Sequence, residues 1–316
     1  MQTSGLSLAD GVLLAHALAA KVAEDKGCRV LFVKGPIAEA FDLRTHRTSS
    51  DVDVWVAPDD FHRYLAGLEA VGWRRRELAP APRILEMHST TMLHDQWPCD
   101  IDVHHMFPGM LADPELVFDD LWRHRTTVEV AGQPVPACDR AGTAVTTALH
   151  ALRDMQVARN ISEFEHLVRA LQRDLTLDER DRIRHIATTD GAAQTLAPLL
   201  TRLGITPPRP PADPEYELLW QDWELRRRNN TGTSRWVHDL HRAPWRRKPV
   251  LLWQAALLPG DSFRRLHPDV GPRARDLWLA RAARLGRGIL ALPGAVSTSW
   301  SVAHYNRVAR LGQRQR

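Results

Sequence analysis

Asp51-Val52-Asp53-Val54-Trp55-Val56 is the stretch on which the fold turns. Valines at alternate positions read as a β-strand, because successive side chains project to opposite faces. Val52, Val54 and Val56 then point into a core, and Asp51 and Asp53 sit side by side on the other face. Two adjacent carboxylates repel each other and are costly to bury. A strand that keeps them calls for a cation to balance them, and a hard divalent metal suits oxygen ligands.

Upstream, residues 6–26 read as a helix with Leu13, Leu14, Ala17, Leu18 and Val22 at helical spacing, and Gly27 ends it. Cys28–Val33 is a short apolar strand closed by Lys34-Gly35-Pro36, and a further helix runs through Ala40. Downstream, Pro58-Asp59-Asp60 opens a helix ending near Gly72, since proline and acidic residues suit a helix start. Trp73–Leu78, Arg83–His88 and Thr90–His94 read as strands of a meander. Cys99–Met106 alternates, with Asp100, Asp102 and His104 on one face and Ile101, Val103 and His105 on the other. Val128–Pro136 reads as a hairpin around Ala131-Gly132-Gln133.

After Asp139 helical patterns take over, at about 139–155, 160–173, 177–188 and 191–203. A proline-rich linker over 207–211 precedes helices at about 213–229, 249–257 and 274–292. The expected architecture is α+β: an α/β domain over 1–138 and an all-α domain over 139–316.

The chain has 316 residues, 44% of them hydrophobic, enough for a sizeable core. Its three cysteines, Cys28, Cys99 and Cys138, form no CxxC pair and read as free thiols of a reducing cytoplasm. No stretch approaches the ~20 apolar residues of a membrane span, and no secretory leader is evident. Net charge is +4 but unevenly spread: residues 224–316 carry 19 Lys and Arg against 5 Asp and Glu. A basic C-terminal third suggests an anionic contact such as nucleic acid, nucleotide phosphates or acidic lipid; a solvated arginine-rich surface is the plain alternative.

Asp102, on a second alternating strand, adds a third carboxylate to Asp51 and Asp53. Three carboxylates on neighbouring strands suit two Mg²⁺ ions, the arrangement of phosphoryl and nucleotidyl transfer. Gly35 lets backbone approach a phosphate, Lys34 supplies a point charge, and Arg47 offers a clamp for another oxygen. Asp100 is the rival to Asp102, ranked second because it lies at the strand entrance beside Pro98.

These residues carry a resemblance. Val33-Lys34-Gly35, then Arg47-x-x-x-Asp51-Val52-Asp53-Val54-x-Val56, then Gly72-Trp73, then Ile101-Asp102-Val103-His104 resembles the uncharacterised nucleotidyltransferase family of the DNA polymerase β-like superfamily. The likeness is close over residues 30–106 and looser to about 300. It implies a polymerase β-like nucleotidyltransferase domain, a short mixed sheet with flanking helices, followed by a helical domain. It implies a cytoplasmic, Mg²⁺-dependent transferase that moves a nucleoside monophosphate from an NTP to a hydroxyl or phosphate of a small molecule, peptide or protein. Asp51, Asp53 and Asp102 carry over as metal ligands, with Asp102 the base for the acceptor hydroxyl. Lys34, Gly35 and Arg47 carry over as phosphate contacts, Ser50 offers a hydroxyl, and His104 orients Asp102 or touches substrate. The wider superfamily opens its motif with Gly-Ser, where this chain has Gly35-Pro36. That difference keeps a non-catalytic nucleotide-binding or antitoxin-like partner as an alternative, and the basic C-terminal third keeps an RNA-modifying enzyme as another.

Other features read more plainly. Ser49 and Ser50 suit a turn. His150 and Asp154, at i,i+4, suggest a surface or interdomain hydrogen bond. The late tryptophans (Trp220, Trp223, Trp236, Trp245, Trp253, Trp278, Trp300) are expected mostly to pack between helices. Arg281, Arg284 and Arg287 are expected to form the solvated basic face of a docked helix, an anionic membrane or RNA being the sharper reading.

Overall fold

The computed structural model describes residues 5–76, 88–228, 233, 237, 240, 243–256, 263, 270–271 and 273–314. The chain divides into two compact units, one over 1–76 and 87–220 and the other over 77–86 and 221–316.

In the first unit, α1 (Leu8–Lys26) leads into β1 (Val30–Val33), α2 (Gly35–Ala40) and β2 (Asp51–Val56). A 3-10 turn (Pro58–Asp60) and α3 (Phe61–Ala70) precede β3 (Arg74–Arg75), β4 (Ser89–Leu93) and β5 (Asp100–His104). Then come α4 (Pro114–Arg123), β6 (Thr126–Val130), β7 (Gln133–Ala137), α5 (Arg140–Leu152), α6 (Ala158–Asp174), α7 (Leu177–Thr189) and α8 (Ala197–Arg202). α9 (Pro214–Arg228) crosses into the second unit, which also holds α10 (Lys248–Ala256) and α11 (Ala274–Arg314).

The strands form one seven-stranded mixed sheet in the order β3-β4-β5-β2-β1-β7-β6. β2 sits centrally, antiparallel to β1 and parallel to β5. Val52, Val54 and Val56 are fully buried, as the alternation predicts, in a core with Val30, Phe32, Ile101 and Val103. α1 and α3 cover that face with Val12, Ala15, Ala19, Val22, Tyr64, Leu65 and Leu68. On the opposite face, beyond Asp51 and Asp53, Trp55 packs against Phe107 and Phe118. The β6–β7 hairpin turns at Ala131 and Gly132, both at positive φ (51° and 72°), the twist-compatible geometry of a two-residue hairpin.

Several predicted boundaries move. The strand expected over 73–78 is described only as Arg74–Arg75, and most of the one expected over 83–88 falls outside the described residues. The helix expected from 191 begins at Ala197, because Gly191 at φ 73° turns the chain first. α11 runs past its expected end at 292, through Pro293; a proline removes one helical hydrogen bond without forbidding continuation. Cys28, Cys99 and Cys138 are free. No helix among the described residues is long and apolar enough to cross a membrane.

Candidate active site

Parallel pairing of β2 with β5 sets Asp51 opposite Asp100, Asp53 opposite Asp102 and Trp55 opposite His104. Side chains in register on one face of a sheet are neighbours, so the two acidic strands present their carboxylates together. β1 runs antiparallel on the other side of β2, with Val33 opposite Asp53, and delivers Lys34 to the same spot. A cleft with room for about 200 Å³ opens there. All eight site positions expected from the sequence line it: Lys34, Gly35, Arg47, Ser50, Asp51, Asp53, Asp102 and His104.

At its floor, Asp53 is buried and Lys34 Nζ donates to its Oδ1 at 2.6 Å. His104 Nε2 lies 2.9 Å from the same oxygen. Burial by itself would push the Asp53 carboxyl up, but the Lys34 ammonium and His104 outweigh it and hold the group well below the usual carboxylate range. Asp51 goes the other way: burial, then the Asp53 and Asp102 carboxylates, push it up, and Ser50 Oγ is its hydrogen-bond partner at 3.3 Å. Asp102 has a buried Oδ1 with no hydrogen-bond partner. One ligand atom each of Asp53, Asp102 and His104 fall within 4.8 Å of one another.

His104 departs from one expectation. It reaches across to Asp53 on β2 rather than back along β5 to Asp102, and its ring stacks on His88 at 5.7 Å. Trp55 is the residue directly opposite His104, so Asp53 lies on the diagonal, a separation of roughly 7–8 Å that a histidine side chain can span.

Lys34 bridges β1 and α2 at φ 61°, ψ −156°, a region nearly closed to side chains with a Cβ and worth about 1–3 kcal/mol of strain. Held in that conformation, the ammonium also lies over the Phe107 ring at 5.6 Å. Gly35 follows at φ 40°, and a Cβ there would come within 3.1 Å of Ser49 Oγ; glycine keeps that wall open. Ser49 is buried and accepts from Arg44 Nη1 at 3.0 Å. Arg47 lines the cleft but is ion-paired with Glu163 of α6, so its charge is partly spoken for.

Further lining comes from Arg44, on the loop between α2 and β2, and from Thr147, His150, Arg153, Arg159 and Glu163 on the helical side; of these, the sequence singles out His150 alone. His150 faces the cleft rather than a surface or interdomain bond. Burial, then the Lys34 ammonium, push its imidazole down to about 3, so it is neutral at physiological pH. The available signal was Thr147 and His150, polar residues at i,i+3 in a helix whose other positions are mostly buried and apolar.

A mixed sheet with carboxylates opposed across two parallel strands, and a lysine-glycine strand end beside them, belongs to the nucleotidyltransferases. Residues 13–203 match the model of the uncharacterised nucleotidyltransferase family, and the chain belongs to that family. No curated protein matches it. Among solved structures, it is similar to the lincomycin-bound lincosamide antibiotic adenylyltransferase LnuA, with 13% identity over 49% of this chain and 94% of that one and a TM-score of 0.35. The antibiotic-resistance factor ANT(2'')-Ia gives 15% identity over 55% and 88%, with a TM-score of 0.35. An antigenic nucleotidyltransferase-like protein from Paracoccidioides brasiliensis gives 11% over 61% and 87%, with a TM-score of 0.41. The family match, rather than these partial likenesses, places the chain.

Proposed function

We propose that this nucleotidyltransferase uses Mg²⁺ to transfer a nucleoside monophosphate from an NTP to a hydroxyl or phosphate of its acceptor, with Asp51, Asp53 and Asp102 holding the metal. The supporting observation is the orphaned, buried Oδ1 of Asp102 beside Asp53 and His104. A buried carboxylate oxygen without a partner costs roughly 1–3 kcal/mol or more, a cost that a cation would remove. The donor set of carboxylate oxygens suits Mg²⁺, and Asp51, pushed up first by burial and then by the Asp53 and Asp102 carboxylates, sits where a cation would be welcome. Bound there, Mg²⁺ ions supply charge neutralisation at the phosphates and acidify an attacking hydroxyl.

The chain's own residues then divide the work. Lys34 is poised between Asp53 and the cleft, so its ammonium can pass from carboxylate to phosphate as substrate enters. Gly35 opens the wall for the triphosphate, and Ser49 and Ser50 line the same cleft with their hydroxyls. Arg47, shared with Glu163, and Arg44, braced on Ser49, add positive charge on the same side. Asp102 accepts the proton of the acceptor hydroxyl as it attacks the α-phosphorus in line. His104 fixes Asp53, and neutral His150 offers a hydrogen bond without adding charge. The test is mass spectrometry of candidate acceptors incubated with each NTP and Mg²⁺. A nucleoside-monophosphate mass gain with pyrophosphate release is expected, whereas nucleotide binding without turnover across a broad acceptor panel would favour a non-catalytic role.

A further inference from the structure

α11 keeps an apolar face in the open. At 3.6 residues per turn, Trp278, Leu285, Ile289 and Leu292 fall on one stripe, with Leu279 and Leu290 beside it. A helix docked on a protein surface normally hides such a stripe and shows its charges. Here Trp278 is 59% exposed, Leu279 69%, Ile289 64% and Leu290 83%. Of the arginines expected on the solvated face, Arg287 is exposed while Arg281 and Arg284 are half-buried, and Arg281 lies over the Trp278 ring at 5.2 Å. In the same unit α10 presents Val250, Leu252 and Trp253 at 55–66% exposure, and Trp245 reaches 75%. Scattered apolar side chains on a surface need no explanation; a contiguous apolar face over four turns of one helix marks a contact.

The charge around it selects the occupant. Residues 224–316 hold 19 Lys and Arg against 5 Asp and Glu. A second copy of this chain would bring an equally positive surface against the first. RNA would answer the charge but gains little from isoleucine and leucine. An anionic bilayer answers both, through acyl chains for the apolar stripe and headgroups for the arginines, with tryptophan favoured at the boundary. We propose that α11 lies in the plane of an anionic lipid surface, apolar stripe inward, and makes this a peripheral membrane protein. This goes beyond the transfer reaction and does not depend on it.

Co-sedimentation of the full chain with phosphatidylcholine vesicles, with and without about a third phosphatidylglycerol, tests the proposal. The protein is expected to pellet with the anionic vesicles, to stay in solution with the neutral ones, and to be released by salt. Leu279→Glu, Ile289→Glu and Leu290→Glu together should weaken partitioning by at least about tenfold. Because all three side chains are exposed, the melting temperature and nucleotide binding should not change. Vesicles with brominated acyl chains should quench tryptophan emission, which headgroup attraction alone would not do. A chain that stays in solution with anionic vesicles, or a triple variant that pellets like the parent, overturns the proposal. So does sedimentation without quenching, or a parent that dimerises through the stripe and ignores lipid.

Discussion

Replacing Lys34 by methionine removes the cation that the carboxylate cluster leans on. The side chains of Lys34 and Asp53 are 16% and 9% exposed, close to the buried regime, where removing one partner of an ion pair costs about 3–5 kcal/mol. His104 remains on the same Asp53 oxygen at 2.9 Å, which reduces the loss to about 2–3 kcal/mol. For a unit of this size that corresponds to melting roughly 5–10 °C lower in chelator. Excess Mg²⁺ or Mn²⁺ should restore most of it, because a divalent ion takes over the ammonium's electrostatic role. Lys34→Gly serves as the companion. It loses the same charge but relaxes the φ 61° backbone, so it should melt above the methionine variant by the equivalent of about 1–3 kcal/mol. Thermal unfolding by circular dichroism, in EDTA and in excess metal, reads all of this. A methionine variant melting within about a degree of the parent in EDTA, or one that metal fails to rescue, would refute the picture of a lysine-neutralised carboxylate cluster.

Other outcomes follow from neighbouring geometry. Asp102→Asn should abolish turnover and metal-dependent nucleotide binding while leaving stability in EDTA equal or higher, because it removes the charge from a half-buried side chain whose buried Oδ1 has no partner; calorimetry with Mg²⁺ and ATP checks it. Arg47→Met strands the buried Glu163 carboxylate and should cost about 1–3 kcal/mol, most of it recovered by adding Glu163→Gln in a double-mutant cycle. Asp190, away from the cleft, is pushed up to about 7 by burial and then by the Asp120 carboxylate. Unfolded, it titrates near ~3.9, so the folded chain holds the proton longer and its stability falls as pH rises from about 4 to about 7. Asp190→Asn should therefore melt higher than the parent at pH ~8 and lose that advantage toward pH ~4.

What could be read in advance follows from which interactions are local. Alternation in 51–56 and 99–106 fixed both acidic strands and their faces, because a period of two is set within one strand. That these strands pair in parallel, so that Asp53 meets Asp102, is a matter of topology that periodicity within one strand cannot give. His104 shows the same limit, since its partner lies across the sheet rather than along its own strand. Arg47 was legible as a cation but not as one shared with Glu163, more than a hundred residues later in the chain. Thr147 and Arg153 draw no reading, and His150 is assigned to a bond with Asp154, for a related reason: a polar residue on an amphipathic helix looks the same whether it faces solvent or a cleft. On α11 the expectation holds for Arg287, which is exposed, and not for Arg281 and Arg284, which are half-buried, because amphipathicity identifies two faces and says nothing about which one the protein covers. Among the late tryptophans, Trp220 and Trp223 are buried as expected, while Trp245, Trp253 and Trp278 are exposed and Trp236 lies outside the described residues.

The central claim is that the Asp51–Asp53–Asp102 cleft passes the α-phosphoryl end of a nucleotide to an acceptor. It is tested most directly by incubating the protein and Mg²⁺ with acceptor-containing extract and NTP labelled at either the α- or the γ-phosphorus. The α-label is expected to enter the acceptor while the γ-label leaves as pyrophosphate, with EDTA or Asp53→Asn stopping both. Transfer of γ-label to the acceptor, or α-transfer that persists in the Asp53→Asn protein, would contradict it.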